Sequence, residues 1–227
     1  MKPNVFLVAG VLMLFLPGGF TGRDAVIRPD EAAPDLFNHI TELKRGDLLI
    51  RPNHNWWPGT SIVPGGSNFG HAAIVIEGSK DTNIMQLLSK TVIFESQARD
   101  VPPEFQLRKV KAFKEGTDFR YANTNFSGYN EGYRYLIRPG LDETTIDSLV
   151  SFVLKQDNGL SSWRAVKDYN SSHRNKTSYW YCSQLIWQAY YEVLGVDIDS
   201  NKGLIVYPND LIQSPYFREN GSYITRF

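Results

Sequence analysis

The residue in this chain best suited to covalent chemistry is its one cysteine, Cys182. A thiolate is a strong nucleophile, and it generally works beside an imidazole that takes and returns a proton. The histidines are His39, His54, His71 and His173. His39 lies in an N-terminal leader and His54 in a loop. His173 lies in the polar stretch Asn170 to Lys176, where a solvated surface side chain fits best. His71 differs, because it follows a Gly-rich loop and opens the apolar run Ala72-Ala73-Ile74-Val75-Ile76. That places a polar ring at a strand end, where it can face a cleft. A structural, hydrogen-bonded histidine is the alternative. A third group commonly orients such an imidazole and fixes its tautomer. Glu95, which follows Val92-Ile93-Phe94, can do this from a neighbouring strand. Glu77 is the rival, but six extended residues carry it roughly 20 Å from His71, so Glu95 is preferred.

The elements that must position these groups are legible as runs. Ser183 to Leu194 reads as a helix, with Leu185, Ile186, Ala189, Tyr190, Val193 and Leu194 on one face and Gly195 as its stop. Cys182 stands just before or within its first turn, where unpaired N–H groups and the helix dipole favour an anion. It also lies three residues before Leu185, so it can equally begin the buried face; position alone does not separate the two readings. Gly46 to Arg51 is a turn into a strand, and His71–Glu77 and Thr91–Ser96 are strands. Phe105 to Val110 and Tyr133 to Ile137 are further strand candidates. Asp142 to Gln156 reads as a helix capped by Asp142, with Leu149, Phe152 and Val153 on its apolar face. Pro208 starts a short helix, and Ser222 to Phe227 is a closing strand. Strands dominate the middle and helices flank them, which is an α+β pattern.

Composition narrows the function. Lys+Arg and Asp+Glu both number 24, so the formal net charge is zero, which argues against nucleic acid as a partner. No Cys/His spacing suggests a metal site and no Gly-rich phosphate loop precedes a helix, so neither metal nor other cofactor is expected. Val5 to Leu16 is an apolar run ended by Pro17-Gly18-Gly19, short for a membrane span and typical of an export signal. Residues 1–24 therefore read as a signal peptide. Residues 25–43 read as a leader with a short helix near Leu36 to Leu43, and 44–227 as one domain. No Cys follows the signal, so a periplasmic or secreted protein is expected rather than a Cys-anchored lipoprotein. A lone thiol in an oxidising compartment suggests a use, although free Cys is also a common buried hydrophobe. The loop between Pro52 and Gly70 carries Trp56, Trp57 and Phe69. Those side chains either line a substrate cleft or anchor the loop on the sheet.

In order, the chain presents Gly46-Asp47-Leu48-Leu49-Ile50, then Gly70-His71-Ala72-Ala73-Ile74-Val75, then Val92-Ile93-Phe94-Glu95-Ser96. Tyr181-Cys182-Ser183-Gln184-Leu185-Ile186-Trp187 follows, and Tyr207-Pro208-Asn209-Asp210-Leu211-Ile212 comes last. Over about residues 44–217 this resembles the circularly permuted, NlpC-type papain-like cysteine amidases of the YiiX/YaeF-like group, in which the His strand precedes the Cys helix. The resemblance implies a papain-like fold of permuted topology, with a small antiparallel, barrel-like sheet packed on the Cys helix. It also implies Cys182 as nucleophile, His71 as base and Glu95 as the imidazole's partner. The Cys182 N–H is the natural oxyanion donor, and Tyr181 can add a side-chain donor unless it simply packs. The expected substrate is a small-molecule, peptide or lipid-like amide, with peripheral membrane or cell-wall contact. Acyl transfer to an acceptor other than water, or a non-catalytic lipid- or peptide-binding module of the same fold, are the alternatives. Sequence sets neither the substrate nor the oligomeric state, and Trp163 and the rest of residues 157–178 fit no pattern.

Overall fold

A computed structural model describes residues 40–51, 70–97, 103–113, 134–157, 159–162, 165–169 and 179–227. Its strands are β1 (Glu42–Leu43), β2 (Leu48–Arg51), β3 (His71–Glu77), β4 (Ser79–Lys80), β5 (Val92–Ser96), β6 (Leu107–Lys111), β7 (Tyr135–Arg138), β8 (Leu160–Ser161), β9 (Tyr179–Trp180) and β10 (Tyr223–Arg226). Its helices are α1 (Ile84–Lys90), α2 (Glu143–Leu154), α3 (Cys182–Leu194), α4 (Pro208–Gln213) and α5 (Pro215–Glu219). The fold is mixed α+β. Six strands form one antiparallel sheet in the order β10-β7-β2-β3-β5-β6. Among the described residues β10 and β6 are the outermost strands of this sheet and pair only inward.

Both faces of this sheet are covered, which explains why His71–Ile76 is buried throughout rather than alternating. Leu48, Ile50, Ala72, Ile74, Ile76 and Phe94 point to one side and pack against α2 and α3, where Trp180, Trp187 and Tyr190 are fully buried. Leu49, Ala73, Val75, Ile93 and Leu136 point to the other, against Leu87 and Leu88 of α1. Each such Val, Leu, Ile or Phe side chain contributes about 1.5–3 kcal/mol by leaving water.

Local chemistry sets the element ends. Asp142 caps α2 through its carboxylate, which accepts from the Thr145 N–H at 2.9 Å. Gly195 ends α3 at φ +69°, in the left-handed region that suits glycine. Gly46, at φ +86°, turns β1 toward β2 and donates its N–H to the Val75 carbonyl at 2.8 Å.

Several elements differ from the sequence expectation. In place of a short helix reaching Leu43, Glu42–Leu43 pairs with Ser79–Lys80, and Ile40 and Leu43 are buried in the core. A two-residue pairing has no period to announce it. The strand expected from Phe105 begins at Leu107, because Pro103–Phe105 forms a single 3-10 turn. The Cys helix starts one residue earlier than Ser183 and includes the cysteine. Residues 1–24, expected to form a signal peptide, and the loop side chains Trp56, Trp57 and Phe69 lie outside the described residues.

Candidate active site

The sheet and α3 meet where β3 and β5 part. Their ladder runs only as far as Ile74 opposite Phe94. Beyond it, the Ala72 N–H turns toward the Cys182 sulfur. On the other side of the split, the Ser96 hydroxyl donates to the Trp180 carbonyl at 2.9 Å. The N-terminus of α3 is thus seated between two strand ends. Although Cys182 belongs to the core on the α3 side, it reaches residues that point to the opposite face.

Those residues are His71 and Glu95. His71 Nε2 and Glu95 Oε2 are 2.7 Å apart, with both side chains almost wholly buried. Nε2 is engaged by Glu95, and the His71 ring and the Cys182 thiol interact closely enough to shift each other's pKa. The structure therefore brings Cys182, His71 and Glu95 together. It leaves Glu77 at the far end of β3, exposed and paired with Lys109.

The electrostatics follow from these contacts. Burial opposes a thiolate at Cys182, but the His71 hydrogen bond and charge, with the N–H groups of Ala72 and Ser183, outweigh it and hold the thiol below its ordinary pKa. Burial likewise opposes an imidazolium, yet the Glu95 charge and the thiol contact raise His71 to about 9. Burial pushes Glu95 upward, and His71 and Arg108 overcome it, so the carboxyl lies below its usual range. The pattern favours a thiolate–imidazolium pair over two neutral groups.

Two arginines that sequence reasoning missed complete the surroundings. Arg108 stands directly across from Glu95 in the β5–β6 ladder. Its Nε and Nη2 both approach Glu95 Oε1, at 2.8 and 2.7 Å. Arg51 stands directly across from His71 in the β2–β3 ladder and is 4% exposed. Burial lowers it to about 10, against the attraction of Glu95 and Cys182. In Leu107-Arg108-Lys109-Val110-Lys111, Arg108 looks like one more solvent-facing cation, and only the strand register gives it a partner.

Tyr181 caps α3 without a side-chain capping bond. Its hydroxyl instead accepts from the Val206 N–H at 2.9 Å, while Ser183 Oγ donates to the Val206 carbonyl at 2.7 Å. The oxygen expected to assist an oxyanion is thus tied to the segment before α4. Burial raises the phenol above its usual pKa and keeps it neutral.

A second buried charge cluster lies further along α3, and no sequence signal marked it. Lys167 Nζ is 2.5 Å from Asp199 Oδ2 and 3.6 Å from Asp197 Oδ1, and lies 5.1 Å from the centre of the Trp187 ring. Asp197 Oδ1 also accepts from Trp187 Nε1 at 2.6 Å. Asp210 adjoins Asp199 and accepts from the Tyr207 N–H at 2.7 Å. Among the described residues no group of three or more His, Cys, Asp or Glu side chains is arranged to hold a metal ion. No described helix is long and apolar enough to cross a membrane.

No family model matches the chain. An uncharacterized protein of Bacillus subtilis (strain 168), YycO, is 42% identical over 55 residues, which is 24% of this chain and 21% of that protein. The match therefore spans about a fifth of the relative's length. Among solved structures, the crystal structure of the metalloprotein yiiX from Escherichia coli O157:H7 is similar with a TM-score of 0.45 and 14% identity. That likeness covers 81% of this chain and 96% of the other, and is too distant to carry an inference about activity.

Proposed function

We propose that this chain is an exported cysteine hydrolase that cleaves an amide bond, of peptide or N-acyl type, through a thioacyl-enzyme. The observation that carries the reading is the buried contact of Cys182, His71 and Glu95, with the thiol held acidic and the imidazole held basic. A structural cysteine in an apolar core would have its thiol pKa raised instead.

In this reading the Cys182 thiolate attacks the amide carbonyl and forms the C–S bond. The resulting oxyanion is met by the Cys182 N–H at the start of α3. The tetrahedral intermediate collapses with cleavage of the C–N bond, and the His71 imidazolium gives its Nδ1 proton to the departing amine. A water then loses a proton to His71 and attacks the thioester. Release of the acid restores the thiolate, and the proton stays on His71. Throughout, Nε2–H donates to Glu95 and keeps the ring in one tautomer.

The permuted, papain-like, YiiX-like assignment belongs to this proposal too. It is supported by the order of the motifs, and by an antiparallel sheet packed on a helix that begins with the cysteine. The test is to incubate the protein with amide and ester acyl donors and look for an acyl mass shift on Cys182. A transient adduct that decays with release of acid supports hydrolysis. Failure of every donor to mark Cys182, in protein whose thiol remains reduced, would remove the proposal.

A further inference from the structure

Glu95 sits in an unusual position for a carboxylate. Its side chain is fully buried, and its two oxygens have separate partners: Oε2 meets His71, and Oε1 meets both Nε and Nη2 of Arg108. The guanidinium straddles one oxygen instead of matching both. Arg108 is itself 4% exposed, so this ion pair is shielded from solvent. The final torsion of a glutamate side chain is broad, so packing alone would hold the carboxylate plane loosely. The two Arg108 donors on one oxygen fix that plane and leave the other oxygen facing the imidazole.

The consequence concerns the proton on His71. An ionised Glu95 only accepts, so Nε2 must carry the hydrogen, and Nδ1 then presents a lone pair to the thiol. A protonated Glu95 would donate to Nε2 and force the ring hydrogen onto Nδ1, facing the sulfur with a donor. Such a ring cannot take the thiol proton. Among the described residues, the groups that bear on this choice are Arg108 from β6, Arg51 from β2 and the Cys182 thiol from α3, with Arg134 bearing on Arg51.

We propose that Arg108 is a positioning residue of this site: by gripping Glu95 Oε1 it keeps the carboxylate ionised and turned, so that Oε2 holds His71 in the tautomer able to accept the Cys182 proton. This rests on the reading of Cys182 and His71 as nucleophile and base, and adds a fourth member to the site.

The experiment needs no substrate. Cys182 is the only thiol, so alkylation of the full chain by iodoacetamide, followed by intact mass, reports one site. The rate is measured against pH. Arg108→Met should move the acid limb of that profile up by about one unit, a roughly tenfold slower reaction at any pH on that limb. Arg108→Lys, which keeps the charge but not the fork, should lie between wild type and Arg108→Met. Glu95→Gln should behave like Arg108→Met, and the double variant should lose little more, since both changes break one interaction. A merely structural arginine would lower the melting temperature and leave the limb in place. Folded Arg108→Met with the wild-type limb therefore overturns the proposal. If Arg108→Met does not fold, Arg108→Lys decides: a raised limb supports the role and an unmoved one sinks it. Failure of the underlying reading looks different, because wild type itself would then titrate like an ordinary thiol near about 8.5.

Discussion

Two buried groups of charges abut α3, and they are composed differently. At its first residue, Glu95 lies between two cations, Arg108 and His71, and the thiolate of Cys182 balances the imidazolium. Around Trp187, three carboxyl groups, Asp197, Asp199 and Asp210, gather near one cation, Lys167. In the first group every negative charge has a partner, and a proton can leave the thiol. In the second, carboxylates outnumber cations, and a proton is retained: burial and the neighbouring Asp199, against the Tyr207 N–H, raise Asp210 to about 7. Burial alone therefore does not mark chemistry; the balance of charges around the buried group does.

The contrast can be broken by removing one group at a time, and the largest effect belongs to the thiol. Cys182→Ala should abolish turnover of any amide, a loss of at least about 10³-fold, with the melting temperature little changed. Retained turnover in that variant would show that the first cluster is not the catalytic one. His71→Ala should slow alkylation of Cys182 near pH 7 by about one to two orders of magnitude, since the thiol loses the group that holds it acidic. The measurement is the pseudo-first-order rate by intact mass, and an unchanged rate contradicts the pairing.

Lys167→Met should act in the opposite way. It leaves Asp199 buried without its cation, a cost of about 3–5 kcal/mol by denaturant unfolding, while folded protein keeps the wild-type alkylation profile. A shift of that profile comparable with the His71→Ala effect would merge the two clusters into one functional unit. Asp210→Asn should give the smallest effect, and it is read in pH dependence. The folded state holds a proton on Asp210 that the unfolded chain releases near about 3.9. That proton's contribution to stability is complete below about 3.9, and declines as pH rises until it is lost above about 7. Wild type should therefore lose about 2–3 kcal/mol between about pH 5 and 8 through this group, and Asp210→Asn should flatten that part of the curve. Parallel pH curves for the two proteins would place the retained proton elsewhere.

The parts of the site that were legible in the sequence share a local signature. His71 opens an apolar run after a Gly-rich loop, Glu95 closes another, and Cys182 precedes an amphipathic helix, so each sits at an element boundary that periodicity reveals. Nothing local distinguishes Arg108 or Arg51. Both acquire their roles only through cross-strand register, opposite Glu95 and His71. The second cluster was less legible still, because Lys167 and Asp199 lie outside any helix or strand and meet the short helix of Asp210 only in three dimensions. The same limit hid β1, whose two residues have meaning only beside Ser79–Lys80.

The order in which the site residues occur along the chain has a consequence for how the protein is made. His71, Glu95 and Arg108 belong to β3, β5 and β6, adjacent antiparallel strands joined by short sequence separations. Contacts of that kind close early and at low entropic cost, whereas Cys182 docks from a distant segment and closes late. Loop-closure entropy thus favours building the cradle for the proton before the sulfur arrives. Until α3 seats between the ends of β3 and β5, the thiol has only the reactivity of a cysteine in an unfolded chain. A molecule so ordered stays chemically quiet through its own assembly, and becomes competent in the step that completes its core.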